Sequence, residues 1–423
     1  MLSSTAPAST AAPVIPPATA LAANADASEA AIRWLEDRVR KDPDDFIAHN
    51  KLADYYLQRL RETGNVRWLE LAARTARASL KAIPAEQNPG GLVLLGQTEF
   101  ASHNFAASRD VANQLISSGL PEKGDRSYPW QLLGDSLLEL GDYEGAEKAY
   151  DRVRKFGAGG AGVETRLAHY ETLRGNIEKA ERHYAEALSA ALNQVPPSRE
   201  TVAWIRWQLG ELAFAAGDYE AAEKNYRDSL TTFPDYFRAL AGLGKARAAR
   251  GDMAGGIEQY EHAVRIIPEP LFVAALGDLY KLTGREKDAA AQYALVEQAG
   301  RLGAGSGALY NRQLALFYAD HDLKAEEAYA LAAKEYEARR DVYGADALAW
   351  AALKAGKVGE AQTAIKEALK LGTKDARMFY HAGMIARAAG DKAAAREHLQ
   401  RALKLNPQFD PLQSAMARKA LEG

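Results

Sequence analysis

The stretch LLGDSLLELGDYEGAEKAY, Leu132 to Tyr150, sets a spacing that returns twice along the chain. Leu133-Gly134 is followed by Gly141, Ala146 and Tyr150. Leu209-Gly210 leads to Gly217, Ala222 and Tyr226, and Leu276-Gly277 to Gly284, Ala289 and Tyr293, at identical intervals. A spacing kept while the letters between it change marks a structural constraint. Antiparallel helices approach closely only where side chains are small, so Gly134 and Ala146 are expected at the contact within a helix pair, with Leu133 and Tyr150 filling the gaps around it. Gly141 lets the chain turn between the two helices without a β-carbon penalty.

The same helical period extends outward from this stretch. Apolar residues recur three and four apart in IRWLEDRV, LELAARTARASL and AQTAIKEALKL, and alternating runs long enough for strands are missing. Helix ends are marked by Gly-Asp at Gly141, Gly217, Gly251 and Gly390, and by Pro43, Pro84, Pro234, Pro268 and Pro407. From Ser28 onward the chain reads as all-α.

Two series, Trp130, Leu133-Gly134, Ala146, Tyr150 and Leu209-Gly210, Ala222, Tyr226, Pro234, resemble tetratricopeptide repeats in the long-array form of bacterial proteins; the repeat is about 34 residues. Gly134 to Ala168, Gly210 to Gly244 and Ala349 to Gly383 are each 34 residues apart. Weaker units surround Leu52-Ala53, Leu95-Gly96 and Leu314-Ala315. Gly256 replaces the small Ala, Ile365 and Leu399 replace the aromatic, and ALNQVPPSRE lengthens one connection. The resemblance implies a right-handed superhelical solenoid of about ten antiparallel helix pairs over residues 28–409, with the first helix of each pair on the concave face. Residues 410–423, containing DPLQSAMARKAL, are expected to cap one end, and a helix from Ser28 to Lys41 the other. Residues 1–27, rich in Ala, Pro, Ser and Thr with no charge before Asp26, read as a disordered linker.

Composition narrows the function classes. With 47% apolar and 26% charged residues and a formal net charge of -3, nothing argues electrostatically for nucleic acid or an anionic membrane. The absence of cysteine excludes disulfides, thiolate metal sites and a cysteine nucleophile. No apolar run approaches the ~18 residues of a membrane span. A linker of this composition, read as a spacer behind a signal or lipid-anchor segment, points to a periplasmic or membrane-anchored location outside the cytoplasm; a cytoplasmic tail is the alternative. The eight histidines lack HExxH spacing, and Walker, GxSxG and Rossmann signatures are missing. The expectation is therefore no enzyme, no cofactor and no metal. ADHDLKAEE around His321 reads as a solvated turn, and GAGGAG, Gly157 to Gly162, as a flexible connection.

Function is then expected on the concave face. Residues predicted to look inward include Tyr128, Trp204, Trp207, Glu211, Phe214, Trp350 and Tyr380, with Arg238 and Lys245 supplying positive charge. Neighbouring units carry no matching Asn and Lys set, so a clamp for terminal carboxylates is not expected. The primary expectation is a scaffold that binds a partner protein or peptide on this wall. The alternative is a cavity holding an apolar small molecule such as a lipid, as part of a transport or envelope assembly.

Overall fold

Helix follows helix through residues 18–118, 127–157, 159–303 and 311–422, the part of the chain described by the computed structural model. A first helix, α1 (Ala18–Lys41), precedes the pairs α2 (Phe46–Thr63) with α3 (Arg67–Ala82), α4 (Pro89–Ala101) with α5 (Phe105–Ser117), and α6 (Tyr128–Glu139) with α7 (Tyr143–Lys155). Next come α8 (Ala161–Leu173) with α9 (Ile177–Leu192), α10 (Arg199–Ala215) with α11 (Tyr219–Thr232), and α12 (Phe237–Ala249) with α13 (Met253–Ile266). Then follow α14 (Pro270–Leu282) with α15 (Glu286–Gly303), α16 (Asn311–Asp320) with α17 (Ala325–Ala338), α18 (Val342–Lys354) with α19 (Val358–Leu369), and α20 (Ala376–Ala388) with α21 (Lys392–Leu405). α22 (Gln413–Glu422) packs on α21. Among the described residues the array thus has ten pairs and one extra helix at each end.

The repeated letters have physical partners. A β-carbon on Gly134 would lie 2.5 Å from the Tyr150 ring, and one on Gly277 2.5 Å from the Tyr293 ring; Gly210 meets Tyr226 in the same way. The small residue therefore makes room for the aromatic of its own pair, which is the close approach expected from sequence. The Gly-Asp turns divide the work. Gly141 and Gly217, both at φ 78°, end one helix in the left-handed region, and Asp142, Asp218, Asp252 and Asp391 each cap the next by accepting a backbone N–H three residues on.

Two boundaries differ from expectation. The first described helix begins at Ala18 and not at Ser28, so residues 18–27 of the expected linker are helical; residues 1–17 lie outside the described residues. The stretch ATALAANADASEAA follows Pro16-Pro17 and is mostly alanine, the strongest helix former, which outweighs the lack of charge. At the other end the capping helix starts at Gln413, and residues 406–412 form a connection with a separate role.

The array winds back onto itself. In four of the first five pairs, the turn inside the pair meets the connection that follows the pair five places later. In the first pair, a β-carbon on Gly64 would lie 2.6 Å from Ile267, after the sixth pair. In the third, a β-carbon on Gly141 would lie 2.5 Å from the Arg340 carbonyl oxygen, after the eighth pair. In the fourth, one on Gly175 would run into the Gly372 carbonyl, after the ninth; in the fifth, one on Gly217 would lie 3.2 Å from the Leu405 carbonyl oxygen and 3.5 Å from Pro407 Cδ, at the end of the tenth. Gly251, Gly284, Gly356 and Gly390 occupy the equivalent turns of later pairs, where an added β-carbon would meet no described atom within 4 Å beyond its chain neighbours. Hydrogen bonds cross the same seam: Val342 N–H donates to Tyr143 Oη at 2.8 Å, Thr373 Oγ1 to the Leu173 carbonyl at 2.5 Å, and Asn406 Nδ2 to the Phe214 carbonyl at 2.7 Å. Arg339 pairs with Glu139 across it. One buried cluster contains Leu138, Tyr150 and Leu173 together with Val342, Ile365 and Ile385, so the hydrophobic core itself spans the seam. The result is a superhelix that stacks on itself after five to six pairs.

Candidate functional site

Stacking two turns encloses part of the inner face. A cavity of about 560 Å³ lies against α10, α12, α14, α16 and the start of α20, and the connection Asn406–Pro411 forms its far wall. That wall is fastened in place. Tyr219 Oη donates to Asn406 Oδ1 at 2.5 Å and accepts from Gln408 N–H at 3.0 Å, and Arg377 Nη2 reaches Asp410 Oδ2 at 3.1 Å. Trp207, Phe214, Tyr260, Phe272, Leu316 and Phe409 give the cavity its apolar surface.

A recurring three-residue device supplies much of the polar surface. The acid next to the interface glycine accepts the hydroxyl of the tyrosine fifteen residues on, and also takes a cation from a following pair. Asp135 accepts from Tyr150 Oη at 2.8 Å and Arg166 Nε at 2.7 Å. Glu211 accepts from Tyr226 Oη at 2.6 Å and Lys245 Nζ at 2.7 Å. Asp278 accepts from Tyr293 Oη at 2.7 Å and faces His321 Nε2 at 2.7 Å. Burial first, and the neighbouring carboxylate second, push the Tyr150 and Tyr226 phenols well above their ordinary range, so both remain hydrogen-bond donors. Burial opposes a charge on His321, but Asp278 outweighs it and raises the imidazole above its ordinary value. The device ties each pair to its successor, and in the second and third instances its acid and cation line the cavity.

The remaining charges are unevenly matched. Among the described residues, six carboxylates line the cavity, Glu211, Glu269, Asp278, Asp320, Asp375 and Asp410, against Arg238, Lys245, Arg377 and the imidazole of His321. Arg377 is shared between Asp320 and Asp410, at 3.1 Å from each. Asp320 also accepts Trp350 Nε1 at 2.8 Å and Gln413 Nε2 at 2.5 Å. Arg238 stands 3.9 Å from Glu269, too far for a hydrogen bond, with its guanidinium 5.6 Å from the centre of the Trp207 ring. Asp375 accepts the Met378 N–H at the start of α20 and has no ion partner. Burial raises the carboxyl groups of Glu269, Asp320 and Asp375 above the usual carboxylate range. The cavity is therefore acidic, and its charge is incompletely neutralised.

Five of the residues chosen from sequence, Trp207, Glu211, Phe214, Arg238 and Lys245, lie together in this lining. Trp204 sits behind it, 6.4 Å from Trp207 and edge-on to Tyr184 at 6.3 Å. Trp350 and Tyr380 do not look into the groove. Each is 1% exposed, and both belong to the core beneath the last pairs, where Trp350 stacks on His381 at 4.3 Å. The last pair and the residues that follow it, among them Phe409 and Ala417, cover what an open superhelix would present. Tyr128 opens α6, outside the lining, where burial pushes its phenol up to about 12. The solvated turn expected around His321 is present at residues 322–324, which are exposed between α16 and α17, but the residues that enter it depart from the expectation: Asp320 and His321 line the cavity, and the His321 side chain is only 8% exposed. Sequence reasoning also missed Glu269, Asp278, Asp375, Arg377 and Asp410. Asp278 had a signal, since an acid follows the Leu-Gly pair in all three spaced stretches. Outside the cavity, on α8 and α9, donor atoms of Glu164, His183 and Glu186 lie within 4.8 Å of one another, close enough to share one ion.

Among the described residues no helix is long and apolar enough to cross a membrane. Two family models of the tetratricopeptide repeat match this chain, one over residues 161–235 and the other over 93–161, 208–269 and 347–408, together more than half of it. A probable biofilm formation methyltransferase, WspC from Pseudomonas putida, is 38% identical over 74 residues, which is 18% of this chain and 16% of that protein. Among solved structures, the APC/C hetero-tetramer Cut9-Hcn1 is similar over 95% of this chain and 94% of its own, at 14% identity and a TM-score of 0.35. The crystal structure of MamA is similar over 41% of this chain and 94% of its own, at 15% identity and a TM-score of 0.31.

Proposed function

Because the chain belongs to the tetratricopeptide repeat family, whose arrays typically serve protein–protein interaction and are generally non-catalytic, we propose that it is a non-enzymatic scaffold that takes a short segment of a partner protein into the inner cavity. The observation that carries this reading is the cavity's mixed lining. Trp207, Phe214 and Phe409 offer apolar contact in the same lining as Arg238, Glu269 and Asp375, which among the described residues have no side-chain partner within hydrogen-bond distance. Ligand sites are typically concave, mostly apolar and furnished with a few placed polar groups, and about 300 to 1,000 Å³ in volume. A peptide segment carries both kinds of surface. An acyl chain would place hydrocarbon against several buried charges and lose hydration without replacing it.

A photo-crosslinking residue tests this directly. Leu271, which is 51% exposed and lines the cavity, is replaced by p-benzoylphenylalanine, and Lys224 on the outer helix α11 serves as control. Illumination in cells is expected to attach one discrete protein at position 271 and not at 224. A lipid-sized mass on the 271 variant, or the same adducts at both positions, contradicts the reading.

A further inference from the structure

The cavity holds more negative than positive charge, and the imbalance is local. Lys245 is held by Glu211 at 2.7 Å, and His321 by Asp278 at 2.7 Å. Arg377 is divided between Asp320 and Asp410. Among the described residues Asp375 is left with a single backbone N–H from Met378 at 3.0 Å and no cation within ion-pair distance. A carboxylate in a part-closed cavity whose charge is not matched is costly, and a ligand that brings the missing charge recovers that cost.

We propose that Asp375 receives the positively charged side chain, lysine or arginine, of the segment bound in the cavity. This rests on the reading of the cavity as a peptide site. The apolar residues then hold the neighbours of that basic residue, and Asp375 selects for the charge. The groups facing Asp375 set the pH dependence: Asp346 and Tyr343 from α18, and Arg377 and His381 from α20. Asp346 is itself engaged, with His381 Nδ1 at 2.9 Å, and Arg377 is engaged by Asp320 and Asp410. None of these supplies a free cation to Asp375. An arriving ammonium favours the ionised carboxyl, so binding strengthens as pH rises through the Asp375 titration and weakens below it.

The test compares the tripeptides N-acetyl-Phe-Lys-Phe-amide and N-acetyl-Phe-norleucine-Phe-amide, together with n-butylamine, by calorimetry on the full chain and its Asp375→Asn variant. Asparagine caps a helix as well as aspartate, so the variant keeps the start of α20 while losing the charge; an unchanged urea midpoint verifies this. The lysine peptide is expected to bind at least about tenfold tighter than the norleucine peptide, and Asp375→Asn to erase that ratio without weakening the norleucine peptide. Equal binding of both peptides, or an unchanged ratio in Asp375→Asn, overturns the cation subsite and leaves the peptide cavity standing. Binding of neither peptide overturns both. Butylamine binding as tightly as the lysine peptide, with the same dependence on Asp375, overturns the assignment to a partner segment in favour of a free amine.

Discussion

Replacing Gly175 by alanine should cost far more than the same change at Gly284, although both residues occupy the turn inside a helix pair at nearly the same backbone angle, φ 71° and 75°. The left-handed conformation penalises a β-carbon at either site by roughly 1 to 2 kcal/mol. Only at Gly175 does the new methyl meet something. It runs into the backbone carbonyl of Gly372, with the Gly372 carbonyl carbon at 3.3 Å and Lys374 Cγ at 3.4 Å, whereas a methyl at position 284 would meet no described atom within 4 Å beyond its chain neighbours. A backbone neighbour has no rotamer to change, so the two superhelical turns must part locally, an overpacking cost of about 1 to 3 kcal/mol. Gly284→Ala is therefore expected to lose about 1 to 2 kcal/mol, and Gly175→Ala about 2 to 5 kcal/mol. Urea unfolding followed by far-ultraviolet circular dichroism measures both. Long repeat arrays lose cooperativity, so midpoints of the same transition are compared. Losses within about 0.5 kcal/mol of each other would refute the stacking of the fourth pair beneath the ninth.

Gly210→Leu should destabilise the fifth pair by about 1 to 3 kcal/mol or more, because the side chain enters the space of the Tyr226 ring; a melting temperature equal to wild type counts against that contact. His103 is held neutral by burial and then by Arg339 and Arg312, with its pKa lowered to about 4. A base with a depressed folded pKa contributes stability above its unfolded value near 6.5 and loses it as pH falls from there toward 4. His103→Asn, which tolerates the φ of 60° at this position, should flatten that part of the urea midpoint against pH, and an unchanged slope sinks the assignment. Asn406→Ala strips a hydrogen bond from the buried Phe214 carbonyl and frees the Tyr219 hydroxyl, at an expected cost of about 1 to 3 kcal/mol. Hydrogen exchange should quicken at Gly217 and Asp218 in that variant; protection equal to wild type would show that the far wall is held by other contacts.

The helix pairs were legible because each one is a local object. Gly134 and Tyr150, or Gly210 and Tyr226, lie sixteen residues apart, and the requirement for a small residue facing an aromatic is written directly in the spacing. The winding of the array was not. Gly175 and Gly284 are the same letter in the same turn, and only the return of a segment two hundred residues away separates them. That difference explains the split fate of the site. Trp207, Glu211, Phe214, Arg238 and Lys245 come from two consecutive pairs, where helical period alone fixes the inner face. Trp350 and Tyr380 have the same period, but the end of the chain packs over them, with Tyr380 5.6 Å from Phe409 and its hydroxyl against Met416. Asp375 and Asp410 sit in connections, where no period assigns a face. The helix from Ala18 is hidden for another reason: its alanine run adjoins Pro13, Pro16 and Pro17, so the composition of residues 1–27 taken together resembles a linker.

The enclosed inner cavity depends on the connection after α21 lying against the turn between α10 and α11. The chain has no cysteine, so two can be introduced alone for spin labelling, at Ala216 and Lys404, both exposed and each next to a residue of that contact. A pulsed electron–electron distance measurement in solution should give a single narrow distribution below about two helix diameters, ~20 Å. A broad distribution centred beyond about three helix diameters, ~30 Å, would show an open superhelix with no far wall, and would contradict the cavity on which the functional reading stands.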